Sequence, residues 1–180
     1  KAADFLDAPR HAASNQSART EQGVTQPMLK EPLLHEFDEE MAATRRLLER
    51  VPDARFGWQP HEKAFTLGAL ANHVAAIPGV AAVILRRSGA RPAEASTAGE
   101  LLAAFDRNVA ACREQLDALS DERLAGRMLV KPGVEKPTWA VLRGRGLMNH
   151  LLHHRGQLSL SLHLLGVAVP GVYGPSADEK

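Results

Sequence analysis

The stretch MNHLLHHRGQLSLSLHLLG, Met148–Gly166, places three histidines within five positions of a leucine-rich run, in a chain that uses eight histidines in all. Helix geometry sorts them. At about 100° per residue, with His150 set to zero, Leu147, Leu151, Leu158, Leu162 and Leu165 fall between about 60° and 120° and make one apolar stripe. His154, at about 40°, joins the stripe's edge beside His150, whereas His153 points about 140° from its centre. His163 is similarly far on the other side. The i, i+4 pair His150 and His154 stacks one imidazole above the other, close enough for both to reach one ion. Gly166 is a natural stop for this helix, and the apolar stripe demands a partner surface.

The remaining sequence supplies that surface as further helices. One periodic segment starts at Pro32 and carries Leu34, Phe37, Met41, Leu48 and Val51, with a gap at Thr44; Val51-Pro52 ends it. A second follows Thr66 as N-cap and aligns Leu70, His73, Ile77, Val80 and Ile84, with Pro78 expected to kink it. A third opens with the capping box Thr97-Ala98-Gly99-Glu100 and aligns Leu101, Phe105, Cys112, Leu116 and Leu119, with Asn108 in one slot. The stretch from Leu119 to Pro137 contains two prolines and two glycines and reads as a long connection with at most one helical turn. The fourth helix is expected to run from Thr138 to Gly166, and VAVPGVYGPSADEK after it to pack as an extended tail. The economical architecture is all-α: a four-helix bundle over residues 28–180. Residues 1–27, without sustained period, read as a flexible tail, and Met28 is expected to stand near the natural start.

Composition bounds the function. With 22 Lys+Arg against 21 Asp+Glu, the net charge of +1 gives no electrostatic footprint for nucleic acid or an anionic membrane. Apolar stretches are read as shorter than the ~20 residues a bilayer span needs, and no signal-peptide pattern is seen, so a cytoplasmic protein is expected. The single cysteine excludes an internal disulfide and a cysteine-rich zinc site.

His73 lies on the inner stripe of the second helix, so it, His150 and His154 can form a neutral three-nitrogen set. Such a set suits zinc, nickel or iron with a position left for water or substrate. An inward histidine is also commonly a hydrogen-bonded core residue, and on spacing alone both readings stand. A di-iron carboxylate bundle is disfavoured, because no helix carries Glu-x-x-His, and the absence of HExxH removes a zincin protease. Cys112 reads as a small core residue, Asn108 as a buried hydrogen-bonding one, and His11, His35 and His61 share no face with the others.

LMNHLLHHRGQLSLSLHLLGVAVPGVYGPSADE resembles the C-terminal signature of the DinB family, in which His-x-x-x-His-Arg-Gly-Gln precedes a Val-Pro and a Tyr-Gly-Pro-Ser-Ala-Asp-Glu tail. WQPHEKAFTLGALANHVAAIPGV and LLHEFDEEMAATRRLLERVP are similar to its second and first helices. The resemblance runs from about Met28 to the C-terminus. It implies a dimeric four-helix bundle that binds a divalent metal through residues falling on His73, His150 and His154, the same three the helical wheel turns inward. Ser161-Leu162-His163 departs from a Tyr-Leu-Arg common in relatives, and Leu152, Leu160 and Leu164 leave an apolar outer face suited to a homodimer contact. Gly156 is expected to permit close packing, Arg155 to make a helix or tail contact, and Gln157 to do the same or to orient a ligand.

For function, the resemblance implies a metal-dependent S-transferase using a low-molecular-weight thiol such as bacillithiol or mycothiol against a small electrophilic substrate. Two other expectations remain open: a non-catalytic, stress-associated metal-binding bundle, and a metal-dependent hydrolase needing a base such as Asp178 or Glu179, whose other reading is an anchor for the tail.

Overall fold

The computed structural model describes residues 28–89 and 93–179; the expected tail, residues 1–27, lies outside the described residues. Four long helices form the bundle: α1 (Lys30–Leu48), α2 (Leu67–Arg86), α3 (Ala98–Asp117) and, after intervening short elements, α6 (Met148–Leu164). α2 packs on α3 and α6, and α1 packs on the same two, so α1 and α2 stand diagonally across the bundle. Phe37, Leu47, Leu101, Phe105, Leu116 and Leu158 are essentially inaccessible at its centre. The predicted leucine stripe of α6 is buried, with Leu147, Leu151, Leu158 and Leu162 inward.

Local chemistry sets several boundaries as expected. Thr66 Oγ1 accepts from Ala69 N, capping α2. Thr97 Oγ1 accepts from Glu100 N, and the Glu100 carboxylate returns to Ser96 N, one residue before the expected backbone N–H. The start of α1 has a different cause. Its first free N–H groups, on Leu29 and Lys30, both donate to Asp121 Oδ1 at 2.7 Å, a side chain about ninety positions away. α2 continues through Pro78 to Arg86, which ends it in a left-handed cap at Arg87.

Three expectations need correction. The connection after α3 holds a short helix α4 (Asp121–Ala125) and an antiparallel hairpin, β1 (Arg127–Lys131) with β2 (Val134–Pro137), so the bundle carries one small sheet. Pro132-Gly133 makes its turn, Gly133 at φ 74°. The fourth helix is not continuous. A short α5 (Thr138–Val141) passes into a wide turn at Leu142–Gly146, where Gly144 (ψ −131°) leaves helical geometry, and α6 restarts at Met148. At Gly146 a Cβ would lie 2.7 Å from the Val141 carbonyl oxygen, so only glycine fits the break. Finally, α2 is 20 residues long with mean hydropathy high enough for a bilayer span. The core takes up that apolarity: 61% of the span is buried in the bundle.

The Thr44 gap in α1 proves to be the centre of a buried polar network. Arg155 on α6 is 3% exposed and lies 2.6 Å from Glu40 Oε2, outside hydrogen-bond angles, so that contact is one of charge. It donates to the Glu40 carbonyl and Thr44 Oγ1, both at 3.2 Å, and to Tyr173 Oη at 2.7 Å; Tyr173 in turn donates to Glu40 Oε1. The expected helix and tail contact of Arg155 is thus present. The tail is fixed at a second point, where Asp178 accepts from Val169 N at 3.0 Å and faces His163 Nε2 at 3.2 Å. These contacts hold the Asp178 carboxyl below the ordinary carboxylate range.

Candidate metal centre

The site forms because α2 and α6 are neighbours in the ring of helices. The loop before α2 is tied to its first turn by Leu67 N to Trp58 O at 2.7 Å and Gly68 N to Phe56 O at 2.9 Å. A Cβ at Gly68 would lie 2.8 Å from the Phe56 ring, so Thr66-Leu67-Gly68 is a cap, a buried anchor and a close approach in sequence. That start fixes the position of His73 two turns on. Across the interface, the break at Gly144–Gly146 places His150 in the first turn of α6 and His154 one turn further.

His73, His150 and His154 converge as expected, each half-buried, with one nitrogen from each lying within 4.8 Å of the others. His73 Nε2 and His150 Nε2 are 3.1 Å apart. Nitrogens on a shared tetrahedral zinc, at about 2.0–2.1 Å from it, stand about 3.3 Å apart, so the spacing fits a single ion. The rings lie edge to face, with centroids 4.3–5.0 Å apart. His153 is exposed, as the wheel required, and its ring meets His154 edge-on from outside at 4.8 Å.

Burial is the main cause that holds the His73 imidazole below the ordinary histidine range, with His154 and His150 adding to it. His150 is shifted the same way, by burial first, then by His154, Arg145 and His153. Neutral imidazoles carry the lone pairs that a cation needs. Gln157 Oε1 accepts from His154 Nδ1 at 2.8 Å, which leaves Nε2 of that ring as the lone-pair nitrogen. Of the two expectations for Gln157, the one that orients a ligand is what its contact supports.

Sequence reading missed Phe65, whose ring stacks on His73 at 5.8 Å and meets His154 edge-on at 6.2 Å. It also missed Arg145 and Gly146, which line a cleft beside His73 and His150. The available signal was the pair Gly144 and Gly146, which weakens any continuous helix through that point. Asn108 donates to the Ala75 carbonyl at 2.8 Å, a structural hydrogen bond. Cys112 is inaccessible, and burial pushes its thiol up to about 12. Asp178 is occupied in anchoring the tail, while exposed His35 pairs with Glu39 on α1.

The family model described as the DinB superfamily matches residues 36–158, more than half the chain and all three histidines. The chain belongs to the DinB superfamily. Among curated relatives, this DinB chain is 29% identical over 154 residues to the uncharacterized protein YrdA of Bacillus subtilis strain 168, covering 81% of this chain and 89% of that one. Among solved structures it is similar to a DinB-like protein of Bacillus cereus ATCC 10987, with TM-score 0.68 and 23% identity over 79% of this chain and 97% of the other. It is likewise similar to the DinB-like protein YjoA of Bacillus subtilis, with TM-score 0.64 and 17% identity over 78% of this chain and 96% of the other. At those identities the two structures support the shared DinB bundle fold.

Proposed function

We propose that this DinB protein is a metal-dependent thiol S-transferase in which His73, His150 and His154 hold a divalent zinc, nickel or iron ion. The convergence of three nitrogens within 4.8 Å, beside an open cleft, carries the reading. Held by three neutral ligands, such an ion would supply Lewis acidity toward the sulfur of a small thiol such as bacillithiol or mycothiol. The chain's own residues supply position and dryness. Phe65 covers His73 and fixes its ring plane, Gln157 holds the His154 tautomer, and the apolar floor of the cleft excludes water from an electrophile placed beside the sulfur.

The base expected for the hydrolase reading, Asp178, serves the tail instead. A purely structural ion is the remaining alternative, and the cleft against two of the histidines favours chemistry over it. The same reading includes a homodimer through α6, where Leu160 and Leu164 are 61% and 60% exposed. A Cβ at Gly156, on the same face, would meet nothing within 4 Å among the described residues, so packing among them does not require that glycine. A reducing cytoplasm is the compartment this chemistry needs.

Cobalt-substituted protein titrated with low-molecular-weight thiols tests the proposal. A sulfur-to-cobalt charge-transfer band and thiol-dependent consumption of a model electrophile, both lost in His73→Ala, are the expected results. A cobalt spectrum that no thiol alters, together with loss of the fold on stripping the ion, would establish the structural reading instead.

A further inference from the structure

A cleft of about 390 Å³ runs along α2 from the histidines, within the roughly 300–1,000 Å³ range of small-molecule sites. Its floor is apolar: Ala69, Ala76, Ile77, Val80 and Ile84. Spacing puts Ile84 on the inward stripe of α2, yet it is 40% exposed because it faces this cleft and not the core. One wall carries Arg145, Gly146 and His150, the other Ala93 and Glu94. The second wall is held against α2 by Asn72, whose side chain accepts from Ala95 N at 2.7 Å and donates to Ala95 O at 2.9 Å.

Arg145 supplies the positive charge among the residues that line the cleft. Arg143, two positions earlier, turns outward and pairs with Glu36 at 2.8 Å. Arg145 has no ion-pair or hydrogen-bond partner among the described residues, and it lines the cleft instead. Its position follows from the helix break. In a continuous helix from Thr138 it would follow the regular turn, but the non-helical Gly144 and the glycine-only approach at Gly146 redirect it to the rim beside His150. Its charge is near enough to act on that imidazole.

We infer that this cleft binds a small molecule with an apolar body and a single carboxylate, the body lying on the α2 floor and the carboxylate paired with the Arg145 guanidinium. A planar guanidinium with unused donors is the group that recognises a carboxylate in two-point fashion. Glu94 on the facing wall repels a second negative charge, which selects monoanions over dianions. The inference rests on the proposed thiol transfer only in assigning such a molecule as the electrophilic partner; the binding itself needs Arg145 and the floor.

The test is calorimetric titration of the full-length, zinc-loaded protein with 4-phenylbutyrate and with 4-phenylbutan-1-ol, which share a body and differ in charge. The acid is expected to bind about tenfold or more tightly than the alcohol, with the ratio falling to near one in Arg145→Gln and partly restored in Arg145→Lys. Val80→Trp, filling the floor, should weaken both; Ala76→Leu serves the same purpose if that variant fails to fold. Equal binding of acid and alcohol overturns the inference, as does an acid preference that survives Arg145→Gln or disappears on chelation, since the carboxylate would then sit elsewhere or on the ion. Unchanged acid binding in the filled-floor variant also overturns it. Acid binding without thiol transfer would remove the proposed chemistry and leave this site standing, and thiol transfer without acid preference would do the reverse.

Discussion

Gln157 Oε1 accepts a hydrogen bond from His154 Nδ1 at 2.8 Å, while the Gln157 amide nitrogen lies 3.2 Å from His153 Nε2. One exposed glutamine thereby holds the ring of an inward histidine directly and is itself braced by the outward neighbour. Such outer partners typically contribute about 10–100-fold to metal affinity. Gln157→Ala is expected to weaken zinc binding by at least about tenfold in a competition titration, with little change in the melting temperature of the metal-free protein.

Replacing any of His73, His150 or His154 by alanine should abolish high-affinity metal binding, and His153→Ala should leave the stoichiometry unchanged. The stabilisation that saturating zinc confers, about 2.7 kcal/mol at one hundred times Kd, should vanish in the first three variants. Differential scanning calorimetry with and without zinc checks this.

The Arg155–Glu40 pair links α6 to α1, with side chains 4% and 11% exposed. Removing one partner leaves the other charge buried, so Glu40→Ala is expected to cost about 3–5 kcal/mol in denaturant unfolding. Because Tyr173 bonds both members, the same change should also free the tail, seen as faster amide exchange around Gly171–Pro175.

Gly146→Ala should act on the fold and the site together. The new Cβ would press on the Val141 carbonyl, a backbone atom that cannot swing aside, at a cost of about 1–3 kcal/mol. Displacing the start of α6 moves His150, so zinc affinity should fall as well; Gly156→Ala, with nothing near its Cβ, is the control for helix propensity.

Cys112 should resist modification. With burial pushing its thiol up to about 12, it stays protonated in the fold. The unfolded chain loses that proton first as pH rises, so the thiol's contribution to stability is intact below about pH 9 and declines above it. Alkylation by iodoacetamide at pH 8 is expected only after denaturation, and alkaline destabilisation should be smaller in Cys112→Ala.

The sequence alone determined the helices with strong period and good caps, and it determined the inward histidines. Each of those depends on neighbours a few residues apart: Thr66 caps Ala69, Thr97 caps Glu100, and His150 and His154 share a face by the pitch of one helix. What only the tertiary structure decided depends on partners that spacing cannot supply. Asp121 caps α1 from about ninety positions away, and Arg155 fills the Thr44 gap from α6. The break at Gly144–Gly146 turns one expected helix into two, and in doing so brings His150 to within 3.1 Å of His73 and sets Arg145 in the cleft. Periodicity says which way a side chain faces along its own axis; the distance between two axes is set by packing, and the three-histidine cluster lies between two of them.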